Sequence, residues 1–473
     1  MLQKKIQTYF KEKGSLWILF LVLLVFGISS IIRLFLFGDT AFGYDTGIYR
    51  HIIYSFSQLA GTPALAFSYF SNSLISIGFS VDAIAYGWYI GIGLLCIFLL
   101  YLFVRSISNR RIANFAAIYF AGSFVYLQFF LSYYYRNLLA LFFALVCFLC
   151  LYLPKPWRLV CLLFSFLFLI SIHPIIALQV LGTFLYIGIM ERAKYPDLLP
   201  TIMLATIIAL GINIEEFFRY ITTLLNTTGA IVSSADTSVS DEYTGQFLSF
   251  SSWVRVSLPL LPFSIIGILR LWKNNQYLII CGIISFILYI IRIPFYTRLL
   301  IILLLPIVVS AAFGIDSLIE KKRRVLNIFL YGYSFLLLLA GFIYVILSPP
   351  SFSQSDIINI QKIKTFVAKE DLLLLYNSAD APWVLGFSGH PYDNIVAPGV
   401  FDANIWTFDD WQLFWTSPDV NVRKELIYRY DRSVVFFYIN PTNLFSAKNI
   451  FVDDPYIHYL GNNLWRYNTE LQN

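Results

Sequence analysis

From about Ser15 to Leu347 the chain is a succession of apolar runs, separated by short polar turns. Most of them approach the roughly 20 residues that an α-helix needs to cross a bilayer. In hydrocarbon each backbone N–H and C=O must be paired, so such runs fold as helices unless they close a barrel. Lysine sorts their ends. Between Met1 and Arg324 the lysines occur only at alternate ends, in "QKKIQTYFKEK", at Lys155, Lys194 and Lys273, and in "EKKRR". Lys and Arg mark the cytoplasmic side of membrane helices. The other ends carry no lysine, only Arg33, Arg50, Arg136, Arg219, Arg255, Arg292 and Arg298. Those arginines run against the trend, and a guanidinium fork suits phosphate or carboxylate.

Composition excludes a single large soluble core. Hydrophobic residues make up 59% and charged residues 13%, against about 25% charged in ordinary domains. No basic cluster with interleaved aromatics lies outside the apolar runs, which argues against a nucleic-acid partner. All five cysteines fall inside apolar runs, so the outer region is expected to hold no disulfide. Cys147 and Cys150 read as packing residues rather than metal ligands. The first apolar run has no small-residue cleavage site and reads as a retained span with its amino end inside.

Length and charge together predict a polytopic α-helical membrane protein with about eleven transmembrane helices. The stretch from Arg158 to Lys194 is basic at both ends and too long for one crossing. A hairpin turning at "SIHP" resolves it. Residues 1–348 form the transmembrane domain, with outer loops 38–83 and 213–252. Residues 349–473 form a small extracytoplasmic α/β domain. There "SDIINIQKIKTFVAKE" and "DVNVRKELIYRY" read as helices, and "DLLLLY", "SVVFFYI" and "NLWRYN" as strands.

The first outer segment holds the candidate catalytic acids. In "FGDTAFGYDTGIYRHIIYSF" the apolar residues Ile48, Ile52 and Phe56 recur at helical spacing, which suggests an amphipathic helix in the membrane interface. Asp45 stands near its start, where a carboxylate can deprotonate an acceptor hydroxyl, hold a metal or cap the helix. Asp39 lies just outside the first span, and Arg50 and His51 share the helix. Arg298, Arg136 and Arg292 are the candidate phosphate ligands. His173 sits at the hairpin turn. Asp241 and Glu242 lie in a polar loop able to act as a lid. The tail aromatics in "ADAPWVLGF" and "NIWTFDDWQLFW" read either as sugar platforms or as structural anchors.

This layout resembles the GT-C superfamily of membrane glycosyltransferases. "GYDTGIYRH" is similar to the first-loop pattern of archaeal-type oligosaccharyltransferase subunits, which places the family's acid on Asp45. "SVSDE" looks like their outer-loop motif, which places an acid on Asp241 or Glu242. The turn "SYYYRN" has no D-x-D metal pair, the tail lacks a W-W-D-Y-G motif, and the first loop lacks the adjacent acids of protein O-mannosyltransferases. No subfamily is assigned. The resemblance implies an inverting, multi-pass plasma-membrane enzyme that takes a polyprenyl-phosphate-linked sugar, with a lipid, glycan or protein as acceptor. No cofactor is expected, and a divalent metal stays open. The alternative is a lipid-linked glycan flippase or another transporter. That reading expects charge near mid-membrane and a repeat of halves.

Overall fold

The structure is a computed structural model. It describes residues 2–43, 45–54, 65–212, 248–291, 296–321, 323–350, 352–376, 380–397, 405–437 and 454–468. Arg219, Arg292, Asp241 and Glu242 lie outside them. The chain divides into two compact units. One comprises Met1–Phe35 and Ala60–Ser348, the other Leu36–Leu59 and Pro349–Asn473. The segment bearing Asp45 therefore clusters with the C-terminal unit.

The first unit is helical. Its elements are α1 (Leu2–Phe37, whose last turn enters the other unit), α3 (Leu65–Ser76), a π-helix (Ala83–Trp88), α4 (Tyr89–Ile107), α5 (Arg110–Ala121), α6 (Phe124–Leu131) and α7 (Tyr135–Cys150). They continue as α8 (Lys155–Ile172), α9 (Pro174–Met190), α10 (Leu198–Ile212), α11 (Phe250–Ser257) and α12 (Leu261–Asn274). The unit closes with α13 (Gln276–Ile290), α14 (Leu300–Ile319) and α15 (Arg324–Leu347).

Among the described residues, five helices are long and apolar enough to cross a membrane, or seven if each of two bent pairs is one span. The pair α5–α6 bends by 48° after Gly122, and α11–α12 by 87° through a break holding Pro259. Four further apolar helices coincide with expected spans but are shorter. At 16 residues α7 rises about 24 Å, short of the ~30 Å hydrocarbon thickness. The interruption expected at "SIHP" is present: α8 ends at Ile172 and α9 begins at Pro174, with His173 between them.

Small residues bring α12 and α14 backbone to backbone. A Cβ on Gly267 would lie 1.8 Å from the Ser310 carbonyl oxygen, and one on Gly314 would lie 2.0 Å from that of Phe263. Such stripes let apolar helices approach where no hydrophobic force separates protein from lipid. One turn further, the fully buried Asp316 side chain receives Arg111 Nε, with Arg270 3.4 Å away. Arg270 also pairs with Glu320 at 3.0 Å. Asp316, one acid in "SAAFGIDSLI", is not among the residues singled out from sequence. Its two arginines compensate the cost of burying it.

Arg33, one of the arginines at the ends without lysine, is turned inward. It is 2% exposed and donates to the carbonyls of Val345 and Ser348 at 2.8 and 2.6 Å. Those carbonyls lack partners within a helix that ends there, so Arg33 closes the end of α15 in place of reaching for headgroups.

The second unit contains α2 (Thr46–Tyr54), α16 (Gln354–Phe366), β1 (Leu372–Leu375), α17 (Ala381–Phe387), β2 (Ile395–Val396), α18 (Phe408–Thr416), α19 (Val420–Tyr428), β3 (Val434–Phe437), β4 (Ile457–Gly461) and β5 (Leu464–Tyr467). The sheet order is β2-β1-β3-β5-β4, with β1 parallel to β2 and β3, and β5 antiparallel to β3 and β4. The unbroken apolar runs "LLLL" and "VVFF" have a direct cause. Leu372 and Leu374 face one core, Leu373 and Leu375 the other, and Val434 to Phe437 alternate likewise. Ser353 and Asp356 form a capping box on α16. The tail tryptophans Trp383, Trp406, Trp411, Trp415 and Trp465 are all buried in these cores. They are neither sugar platforms nor surface anchors, because each indole fills the space between sheet and helices.

Candidate functional site

The candidate residues fall into two groups, one in each unit. In the C-terminal unit the chain leaves α1 through a 3-10 turn, Gly38–Thr40, in which Gly38 has φ +52° and Asp39 is half-buried. Gln354 Nε2 donates to the Phe37 carbonyl at 2.6 Å and holds this turn. Asp45 follows at 5% exposure, and its carbonyl accepts the Tyr49 N–H that opens α2.

Helix α2 packs against protein: Gly47, Tyr49, His51, Ile52 and Ile53 are buried, and the helix lies on α17. A Cβ on Gly47 would meet the Pro382 carbonyl oxygen at 1.8 Å, and one on Gly386 would meet Gly47 Cα at 2.5 Å. Helices this close exclude any side chain at the crossing. Arg50 lies over the Phe387 ring at 4.8 Å, and His51 stacks on Tyr392 with ring centroids 6.3 Å apart. Burial lowers the His51 pKa to about 4, opposed by its hydrogen bond to the Leu385 carbonyl.

His51 makes a pH prediction. The unfolded chain binds the His51 proton near the ordinary pKa of about 6.5, the folded chain only near 4. Stability is therefore unaffected by this group above pH 6.5 and falls as pH drops from 6.5 toward 4, by up to about 3 kcal/mol. Denaturant unfolding read by tryptophan fluorescence at pH 7.5, 6 and 5 should show this loss in wild type and a flatter profile in His51→Gln. Identical slopes would remove the assignment.

In the first unit the structure draws Arg136, His173 and Arg298 into one neighbourhood, and both guanidiniums act electrostatically on the half-buried His173. Two of them have definite local duties. Arg136 donates through Nε and Nη2 to the carbonyl of Ile172, the last residue of α8, at 3.2 and 2.8 Å. His173 caps α9, its Nδ1 accepting from the Ile176 N–H at 3.4 Å. Its Nε2 lies 2.8 Å from Asn137 Nδ2. The adjacent residues Arg136 and Asn137 thus clasp both sides of the break between α8 and α9.

Arg298, in the 3-10 turn Tyr296–Leu299 before α14, lies over the Tyr134 ring at 4.4 Å. A guanidinium over an aromatic ring is attracted by the ring's negative face, and guanidiniums bind anions through their in-plane N–H donors. Tyr134 and Asn137 are not among the residues picked from sequence. The run of three tyrosines before "RN" is the signal that points to them. In place of a D-x-D pair this turn offers phenols and a guanidinium. Among the described residues no three His, Cys, Asp or Glu side chains gather into a metal site.

No protein-family model and no curated protein sequence matches the chain. Solved structures do match, and they share this fold. The chain is similar to the oligosaccharyltransferase AglB from Archaeoglobus fulgidus bound to an inhibitory peptide and a dolichol-phosphate. That match has 14% identity and a TM-score of 0.59, over 98% of this chain and 75% of that one. It is also similar to apo ArnT from Cupriavidus metallidurans, with 12% identity and a TM-score of 0.58, over 97% of this chain and 98% of that one. Similarity at these identities carries the fold. Together with the apolar helices, it makes this a multi-pass membrane protein.

Proposed function

We propose that the protein is a membrane glycosyltransferase that moves a sugar from a polyprenyl-phosphate-linked donor to an acceptor hydroxyl, amide or amine outside the cytoplasm. The observation that carries this reading is Arg298, a guanidinium seated on the Tyr134 ring, in a GT-C fold. The lysine pattern supports an amino end in the cytoplasm and a C-terminal unit outside. The A. fulgidus neighbour was solved with a dolichol-phosphate, which supports the same ligand class here.

The chemistry is a single displacement. The acceptor heteroatom attacks the anomeric carbon, the bond from that carbon to the phosphate oxygen breaks, and polyprenyl phosphate leaves with the electron pair. One displacement inverts the anomeric centre. A general base takes the proton from the acceptor as it attacks, a role that the first-loop resemblance gives to Asp45. Arg298 holds the donor phosphate and stabilises the charge that grows on it in the transition state, an electrostatic contribution made by a preorganised donor. Arg136 adds positive potential from the end of α8.

The test is binding. In nanodiscs, Arg298→Ala should weaken polyprenyl phosphate roughly 10- to 100-fold, the worth of a charge-assisted bidentate contact. Arg298→Lys should recover part of it, since lysine keeps the charge and loses the fork. Affinity equal to wild type in Arg298→Ala would refute the phosphate seat.

A further inference from the structure

The turn "SYYYRN" is more elaborate than a loop between two helices requires. Tyr133 has φ +64°, a left-handed conformation that is uncommon for a bulky residue and points to a local constraint. The constraint is visible on both sides. Tyr133 donates its phenol to the Ala85 carbonyl, and Tyr135 donates to the Ile84 carbonyl at 3.0 Å. Both carbonyls belong to the π-helix Ala83–Trp88, a rare widened turn frequently found at functional sites. Tyr89, which directly follows the π-helix, packs on Tyr133 with centroids 4.4 Å apart and donates to the Phe130 carbonyl at 2.6 Å. The first and third tyrosines are therefore pinned to one wall, and the ring between them meets Arg298.

We infer that Tyr134 is a positioning residue for Arg298, presented by a left-handed kink that Tyr133 and Tyr135 lock onto the π-helix carbonyls. This rests on the phosphate role proposed for Arg298 and adds how that guanidinium is aimed. The aromatic face fixes the guanidinium plane, so its in-plane donors keep one direction before the donor lipid arrives. Preorganisation of this kind is gained in binding and retained in the transition state. In this role Tyr134 acts through the face of its ring, whereas Tyr133 and Tyr135 attach the turn through their hydroxyls.

The experiment measures polyprenyl phosphate binding, and KM and kcat for the lipid-linked donor, in nanodiscs holding the full chain. Tyr134→Phe keeps the ring and should bind within about twofold of wild type. Tyr134→Leu keeps apolar bulk without the ring and should weaken binding roughly tenfold, the scale of a cation–π contact shielded from water. The loss should appear in both affinity and kcat/KM, with unchanged thermal stability. In a double-mutant cycle with Arg298→Ala the two losses should not add. If Tyr134→Leu binds as wild type while Arg298→Ala does not, the positioning role fails and the phosphate seat stands. If Tyr134→Phe is as damaged as Tyr134→Leu, the hydroxyl is the active group and the inference is overturned. If Arg298→Ala itself binds as wild type, the phosphate seat falls and takes the inference with it.

Discussion

Asp45→Asn should leave a folded, donor-binding protein that does not transfer sugar. Asparagine keeps the size of the side chain and is itself a good residue before a helix, and the carbonyl of residue 45 still accepts the Tyr49 N–H that opens α2. What it removes is the carboxylate. A general base contributes about 10²–10⁴ in rate, so turnover of a lipid-linked donor should fall by that factor with polyprenyl phosphate affinity unchanged. The buried position of Asp45, at 5% exposure, fits a base shielded from bulk water better than a surface helix cap. Full activity in Asp45→Asn would show that the residue only begins the helix.

The second large effect comes from a residue with no chemistry of its own. Gly47 lies two positions after Asp45, and a methyl group there would enter the Pro382 carbonyl at 1.8 Å and approach Trp383 N at 2.9 Å. Backbone atoms cannot rotate away as a side chain can, so α2 and α17 must separate. Overpacking costs about 1–3 kcal/mol, and here the shift moves the helix that carries Asp45. Gly47→Ala should therefore lower kcat at least about tenfold, since small displacements of a reacting group are costly, and should lower the unfolding midpoint of the C-terminal unit. Gly91→Ala, on a helical face with nothing within 4 Å of the new Cβ, serves as the matched control. If the two variants behave alike, the Gly47–Gly386 crossing does not position the acid.

Much of the architecture was legible because it is local. Helical runs and the "SIHP" break are written in spacings of a few residues. The same holds for the strands "LLLL" and "VVFF", where two buried faces leave no polar position to alternate. The α2 helix was legible as a helix, and its surroundings were not. A stripe of Ile48 and Ile52 reads the same whether it meets lipid or α17, more than 300 residues later in the chain. The tail tryptophans failed in the same way, since an aromatic-rich segment looks alike as a binding platform and as a core.

By itself the sequence determined that the chain would form apolar helices, which ends of them carry lysine, and that Asp45 and the arginines lie at the opposite ends. Local composition sets those properties through backbone hydrogen bonding and the cost of moving charge into hydrocarbon. Only the tertiary structure decided what each arginine does. Arg33 is committed to carbonyls 312 and 315 residues away, Arg136 to the end of α8, and Arg298 to the face of Tyr134. A guanidinium has five donors and a flat face, and which of them is used depends on partners that folding supplies from remote segments.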